Sequence, residues 1–358
     1  MSTFLNNPAQ GTRDHSASPP FMRENEITLA MPELTSLGLS EQDARAVEML
    51  RFSVGHTERG HLELYRHTQN DTWVKEYRLP MDYDVAPSAC VLNGKIWLAG
   101  GQQAPSCHRS DRYSNDLHSL HLDFNAAGES WLVVKNEERA FRTPRICAAM
   151  AGIGCRLFLC GGVTWWGGKK QDLCSVEVFD VGTGTWGVAC DLPSARRSAT
   201  AVAVHGNLFL IGGLGETALD EILRYAEDRN TWEVKARLRW NRHSMGCGTD
   251  GSLVYLVGGC GWNEEASRNE PVEFVECFDT ATGKLRSLPP LPEKGYDCGV
   301  TVVNHAMLHV FGGSFTADEH SVDWVFRLDI RNTAAGWTRA EVGLPEPCDI
   351  SLSAAHVL

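Results

Sequence analysis

The chain has 358 residues, is 43% hydrophobic and 22% charged, and carries a formal net charge of −12, which excludes a disordered or fibrous chain and allows one large core or two ordinary ones. The acidic balance, with no block of five or six basic residues, argues against nucleic-acid binding, because a polyanion is repelled unless a basic face is set apart. No apolar run reaches eighteen residues and the N-terminus has no signal-like stretch, so neither membrane insertion nor secretion is expected, and the predicted location is the cytoplasm.

Residues 1–45 hold Pro8, Pro19 and Pro20 among polar residues with little periodicity, and are expected to form a mostly disordered leader. A short helix is expected over residues 40–49, with Ser40 as its N-cap. From residue 46 onward one unit recurs. Five apolar runs end in two glycines: IWLAGG (96–101), LFLCGG (157–162), LFLIGG (208–213), VYLVGG (254–259) and LHVFGG (308–313). A sixth, degenerate copy, RFSVGH, spans residues 51–56. Successive first glycines lie 45, 61, 51, 46 and 54 residues apart, a period that fits four short strands per repeat and is too long for most helical solenoids. Three residues before each first glycine stand Phe52, Trp97, Phe158, Phe209, Tyr255 and His309.

After a variable stretch each unit shows a second strand and a polar turn, and then usually a tryptophan. The pairs are Tyr65 with Trp73, Leu122 with Trp131, Phe179 with Trp186, Tyr225 with Trp232 and Leu328 with Trp337, while the fifth unit pairs Phe278 with Leu285. Most units then reach a proline (Pro80, Pro193, Pro292, Pro345) before a strand of small residues, such as residues 198–204 or 299–303. Small side chains suit an innermost strand crowded around an axis. The expected order within a unit is therefore inner, glycine-ending, aromatic and tryptophan-ending strand.

Twelve cysteines are spread from Cys90 to Cys348 with no CxxC pair. Several lie in apolar runs (Cys147, Cys155, Cys160, Cys247, Cys277), where reduced thiols behave as small hydrophobes.

The double glycine, the aromatic–tryptophan pair and the terminal proline together resemble the kelch repeat, and the resemblance runs over residues 46–358. It implies an all-β fold, a six-bladed β-propeller. Blade one lacks an inner strand in the segment before residue 50, whereas residues 351–358 have inner-strand character. The C-terminal strand is therefore expected to close blade one, leaving only short blade edges.

No HExxH, GxSxG or phosphate-cradling glycine loop is present, and His309, in an apolar strand, reads as a core residue. Glu216 and Asp220 sit where kelch-type specifier proteins of plants carry an iron motif. Arg224 stands in place of that motif's histidine, and no metal or cofactor is predicted.

Function in such a fold concentrates in loops. One set follows the double glycines, at residues 102–115, 163–173, 214–219, 260–271 and 314–322. It holds Arg109, Arg112, Tyr113, Trp165, Trp166, Trp262 and Phe315, of the residue types enriched at binding hot spots. A second set precedes the inner strands, where Arg145, Arg197, Arg242 and Tyr296 fall fifteen or sixteen residues ahead of a double glycine, with Tyr83 near that register. Rotation would gather these around the channel mouth, with Arg142, Arg196 and Arg239 nearby, either as a cationic rim suited to an acidic peptide or as caps of the blade ends bonded to neighbouring carbonyls.

The blades resemble most the kelch-like family, whose propellers recruit substrates to cullin-RING ubiquitin ligases through separate BTB and BACK domains. Neither domain has room within residues 1–45, so a partner or a longer isoform would have to supply them. The expected function is protein binding without catalysis, as a ligase substrate receptor, an adaptor or a scaffold. The alternative is a carbohydrate-active or isomerase-type propeller enzyme.

Overall fold

The computed structural model describes residues 26–30, 52–57, 61–67, 73–85, 87–93, 95–103, 113–124, 130–137, 140–166, 168–303, 305–315 and 321–353. The protein is an all-β propeller, and its only helical elements among these residues are two three-residue 3-10 turns. Four four-stranded sheets, two five-stranded sheets and two two-stranded ribbons are formed. Each large sheet is named here by the first glycine of its motif.

The Gly161 sheet is representative. Ala149–Ile153 is the inner strand, followed outward by Arg156–Cys160, Val176–Asp180 and Thr185–Ala189, all antiparallel. The inner strands pack side by side from Ser88–Leu92 through Ala149–Ile153, Thr200–Val204 and Gly246–Thr249 to Gly299–Val303.

The glycine-ending strands of the Gly161 and Gly258 sheets are apolar from Leu157 to Cys160 and from Val254 to Val257 because both of their faces are covered. In the Gly161 sheet Leu157 and Leu159 enter the core shared with Trp97 and Phe141, whereas Phe158 and Cys160 enter the core shared with Leu208 and Leu223. In the Gly258 sheet Val254 and Leu256 face Phe209, while Tyr255 and Val257 face Leu308 and Val310. The period-two alternation of a strand thus feeds two inter-sheet cores.

The expected aromatic–tryptophan pairing is direct for Phe179–Trp186 and Tyr225–Trp232, and for Phe278–Leu285. Elsewhere the register differs. Trp131 lies opposite Asp123 rather than Leu122, and Trp73 lies opposite His67 while Tyr65 lies opposite Lys75.

Two terminal segments join sheets. Cys348–Ser353 pairs antiparallel with Phe52–Thr57 as the first strand of the Gly55 sheet. Glu26–Ala30 adds a fifth strand to the Gly100 sheet along Ser130–Glu137. That strand lies in the leader expected to be disordered, and the helix expected over 40–49 falls outside the described residues.

His309 is buried, as a core residue should be. The eleven described cysteines are free thiols, with Cys155 exposed rather than in the core. No described helix is long and apolar enough to cross a membrane.

Candidate functional site: the double-glycine face

The two glycines turn the chain out of its strand and let a neighbouring segment press against it. Gly161 and Gly162 have φ of +62° and +95°, and a Cβ on Gly161 would lie 2.3 Å from the carbonyl oxygen of Arg196. Only glycine tolerates both the left-handed backbone and that approach. Gly162 N–H donates to the Arg196 carbonyl at 2.8 Å. Backbone bridges Ile146–Val163, Arg197–Leu214, His243–Cys260 and Tyr296–Ser314 repeat the arrangement from sheet to sheet. The two loop sets expected from sequence therefore meet at one end of the propeller.

At that end the arginines separate into two positions. Arg145, Arg196 and Arg242 have fully buried side chains. Each donates through Nη1 to the first-glycine carbonyl of its sheet (Gly161 at 2.8 Å, Gly212 at 3.2 Å, Gly258 at 2.6 Å). Each also pairs through Nη2 with a carboxylate: Glu177 at 2.5 Å, Glu221 at 2.8 Å and Glu276 at 2.7 Å. Glu177 further accepts the backbone N–H groups of Arg142 and Thr143, and Glu276 that of Arg239. Burial lowers the proton affinity of the Arg145 and Arg242 guanidinium groups, and the paired carboxylates oppose the shift. Arg145 and Arg242 are thus internal struts, not members of an exposed rim, because the strand entry they occupy is covered by the adjoining loops.

Arg197 and Tyr296 occupy the next position, equivalent to Ile146 and His243, since Gly295 stands where Arg242 does in its sheet. Arg197 is half-buried and its Nη1 donates to both carboxylate oxygens of Asp172, each at 2.6 Å. One residue further come Cys147, Ser198, Ser244 and Asp297, all with φ near +50°. Ser198 N–H donates to the Cys147 carbonyl, Ser244 N–H to Ser198 and Asp297 N–H to Ser244, at 2.8, 2.9 and 3.0 Å. These residues make a hydrogen-bonded collar at the inner-strand entrances. The sequence reading missed it, although the repeated spacing of a polar or thiol residue two after the arginine position (Arg145/Cys147, Arg196/Ser198, Arg242/Ser244) was there to find.

His243 belongs to this region. Its Nδ1 lies 3.3 Å from Ser244 Oγ, and its buried Nε2 has no hydrogen-bond partner. Burial, and secondarily the charge of Arg197, depress its pKa to about 4. Burial also raises the pKa of the Cys147 thiol, aided by the charge of Asp297, so it is not disposed to act as a nucleophile. Among the described residues no group of His, Cys, Asp or Glu is arranged to hold a metal ion.

Beyond the collar rise two ribbons. Val163–Trp166 pairs with Lys169–Asp172, placing Trp165 opposite Lys170 and Trp166 opposite Lys169. Cys260–Asn263 pairs with Arg268–Pro271, placing Trp262 opposite Asn269. Trp165, Trp166 and Trp262 are 49, 79 and 54% exposed. Phe315, expected with them, is instead buried at 5%, packed against Trp324 and Phe326. Tyr83 pairs through its backbone with Gln103, and Arg112 lies outside the described residues.

A propeller with this repeated strand entry and loop-bearing face defines a repeat protein of the propeller class. A family model described as Kelch motif matches residues 144–186. Kelch-like protein 35 of Mus musculus is 25% identical over 267 residues, which is 74% of this chain and 40% of the relative. Kelch-like protein terF of Aspergillus terreus is 26% identical over 214 residues, 56% of this chain and 46% of that protein. Kelch repeat and BTB domain-containing protein 12 of Homo sapiens is 22% identical over 256 residues, 66% of this chain and 40% of that protein. The chain thus spans less than half the length of these relatives. The solved structure of YjhT superposes with a TM-score of 0.60 at 14% identity, covering 81% of this chain and 97% of that one, a likeness of fold. This chain is a propeller with a Kelch motif at residues 144–186, and it is similar to kelch-like proteins over more than half of its length.

Proposed function

We propose that the chain is a six-bladed kelch propeller that binds another protein on its double-glycine face. The carrying observation is the set of three exposed tryptophans on two ribbons with fixed bases. Trp165 and Trp166 sit on a ribbon tied down by the Ile146–Val163 bridge and the Arg197–Asp172 ion pair, and Trp262 on one tied by the His243–Cys260 bridge. Large aromatic side chains on a rigid support bind with little loss of conformational entropy, and tryptophan is among the residues most enriched at hot spots.

Six blades closed by the C-terminal strand are supported by the pairing of Cys348–Ser353 with Phe52–Thr57. The same strand lies beside both Gly299–Val303 and Ser88–Leu92. An acidic ligand segment is supported by Lys169, Lys170 and Arg197, with Arg145 and Arg242 no longer contributing. Work as a substrate receptor or adaptor for a cullin-RING ubiquitin ligase, or as a scaffold, is suggested by the kelch-like relatives, one of whose names joins kelch repeats to a BTB domain. A cytoplasmic setting fits the free thiols. Binding rather than catalysis fits a collar whose thiol is held protonated.

The test is a photo-crosslinking amino acid placed at Trp166 and, in a separate protein, at the exposed Ser252 on the hairpin turn at the opposite end. Partner crosslinks should form from position 166 and not from 252. Crosslinks from 252 alone would place the binding surface on the other face.

A further inference from the structure

The two ribbons are alike in construction and opposite in charge. Trp165 and Trp262 occupy equivalent positions, each two residues beyond the residue bridged to the neighbouring strand entry (Val163 to Ile146, Cys260 to His243). The first ribbon carries exposed Lys169 and Lys170 at the start of its second strand, opposite Trp166 and Trp165, and neither is held in an ion pair among the described residues. The second turns through exposed Glu264 and Glu265, its turn set by Asn263 Oδ1 accepting the N–H groups of Glu265 and Ala266. Between them lies the Gly212 sheet, whose corresponding loop is short, closed by a Leu214–Ala218 bridge, and carries no ribbon.

We infer that this face binds a second copy of the chain, the lysine-tipped ribbon of each copy docking against the glutamate-tipped ribbon of the other. A two-fold axis perpendicular to the propeller axis and passing over the Gly212 sheet exchanges the two ribbon positions. Both contacts then form at once, as an isologous interface requires. The short central loop leaves room for the approach. Burial of Trp165, Trp166 and Trp262 supplies the attraction, and the opposed tip charges select the pairing against its alternatives. Each copy carries a net charge of −12, so general repulsion keeps the association modest. The inference goes beyond the protein-binding reading and stands or fails on self-association alone.

Sedimentation velocity on the full chain tests it, with two charge-reversed proteins, Lys169→Glu/Lys170→Glu and Glu264→Lys/Glu265→Lys. All four residues are exposed, so both proteins should melt as the unaltered chain does. The unaltered chain should dimerise in the micromolar range, and each reversed protein alone should be monomeric at the same concentration, because its two ribbons now carry like charge. An equimolar mixture of the two should recover the dimer as a one-to-one heterodimer. Trp166→Ala should weaken the unaltered dimer at least tenfold. An unaltered chain that stays monomeric up to about 100 μM would overturn the inference and leave the face to a different protein. A mixture that stays monomeric would overturn it as well.

Discussion

Arg242 is enclosed by the Gly258 carbonyl, the Phe274 carbonyl and Glu276, with no exposed side-chain surface. Removing one member of such a pair strands the other charge in the interior. Arg242→Met should therefore destabilise the protein by about 3–5 kcal/mol, read from urea unfolding, while the exposed change Arg268→Met should shift it little. His243 gives a pH dependence. The folded protein protonates it only near pH 4, whereas an unfolded chain does so near 6.5. The unfolded state therefore takes up more protons as pH falls between those values, and stability present above about 6.5 is lost toward pH 4. The urea midpoint should fall from pH 7 to pH 5 in the unaltered protein and fall less in His243→Gln. An equal fall in both would assign the acid sensitivity to other groups. The carbonyl-capping role of the arginine was one of the two readings its place before a strand allowed, whereas its carboxylate partner, 34 residues away, and the burial of His243 were not legible in the sequence.

At the scale of elements, the glycine-ending strands were readable because successive residues in them are apolar for one or the other of two cores, as in Leu157 through Cys160. The ribbons were read only as loops bearing aromatics. Their strands are four residues each, too short to show a period of their own. Glu26–Ala30 was missed because a five-residue strand is specified by the edge it meets, about a hundred residues on, rather than by its own pattern. The ribbons also give a prediction. If the Arg197–Asp172 pair holds the 163–172 ribbon in place, Arg197→Ala should raise amide exchange there, leave the 260–271 ribbon unchanged and alter global stability by less than about 1 kcal/mol. Unchanged exchange in the first ribbon would mean that the Ile146–Val163 bridge suffices.

For the molecule as a whole, the proposed closure makes the two ends of the chain interdependent. Deleting residues 350–358 removes most of the strand lying on Phe52–Thr57 and beside two inner strands, so the truncated protein should lose its cooperative melting transition. An unchanged transition would place the closure elsewhere. The central claim is that this propeller recognises protein through its double-glycine face. Its most direct test is the affinity of a crosslinked partner for a Trp165→Ala/Trp166→Ala/Trp262→Ala protein, set against its affinity for a control altered at His205 and Ser252 on the opposite turns. With both proteins folded, the first should bind at least 30-fold more weakly than the unaltered chain, about 2 kcal/mol, and the control should bind as the unaltered chain does. Equal affinities for the two altered proteins would contradict the account.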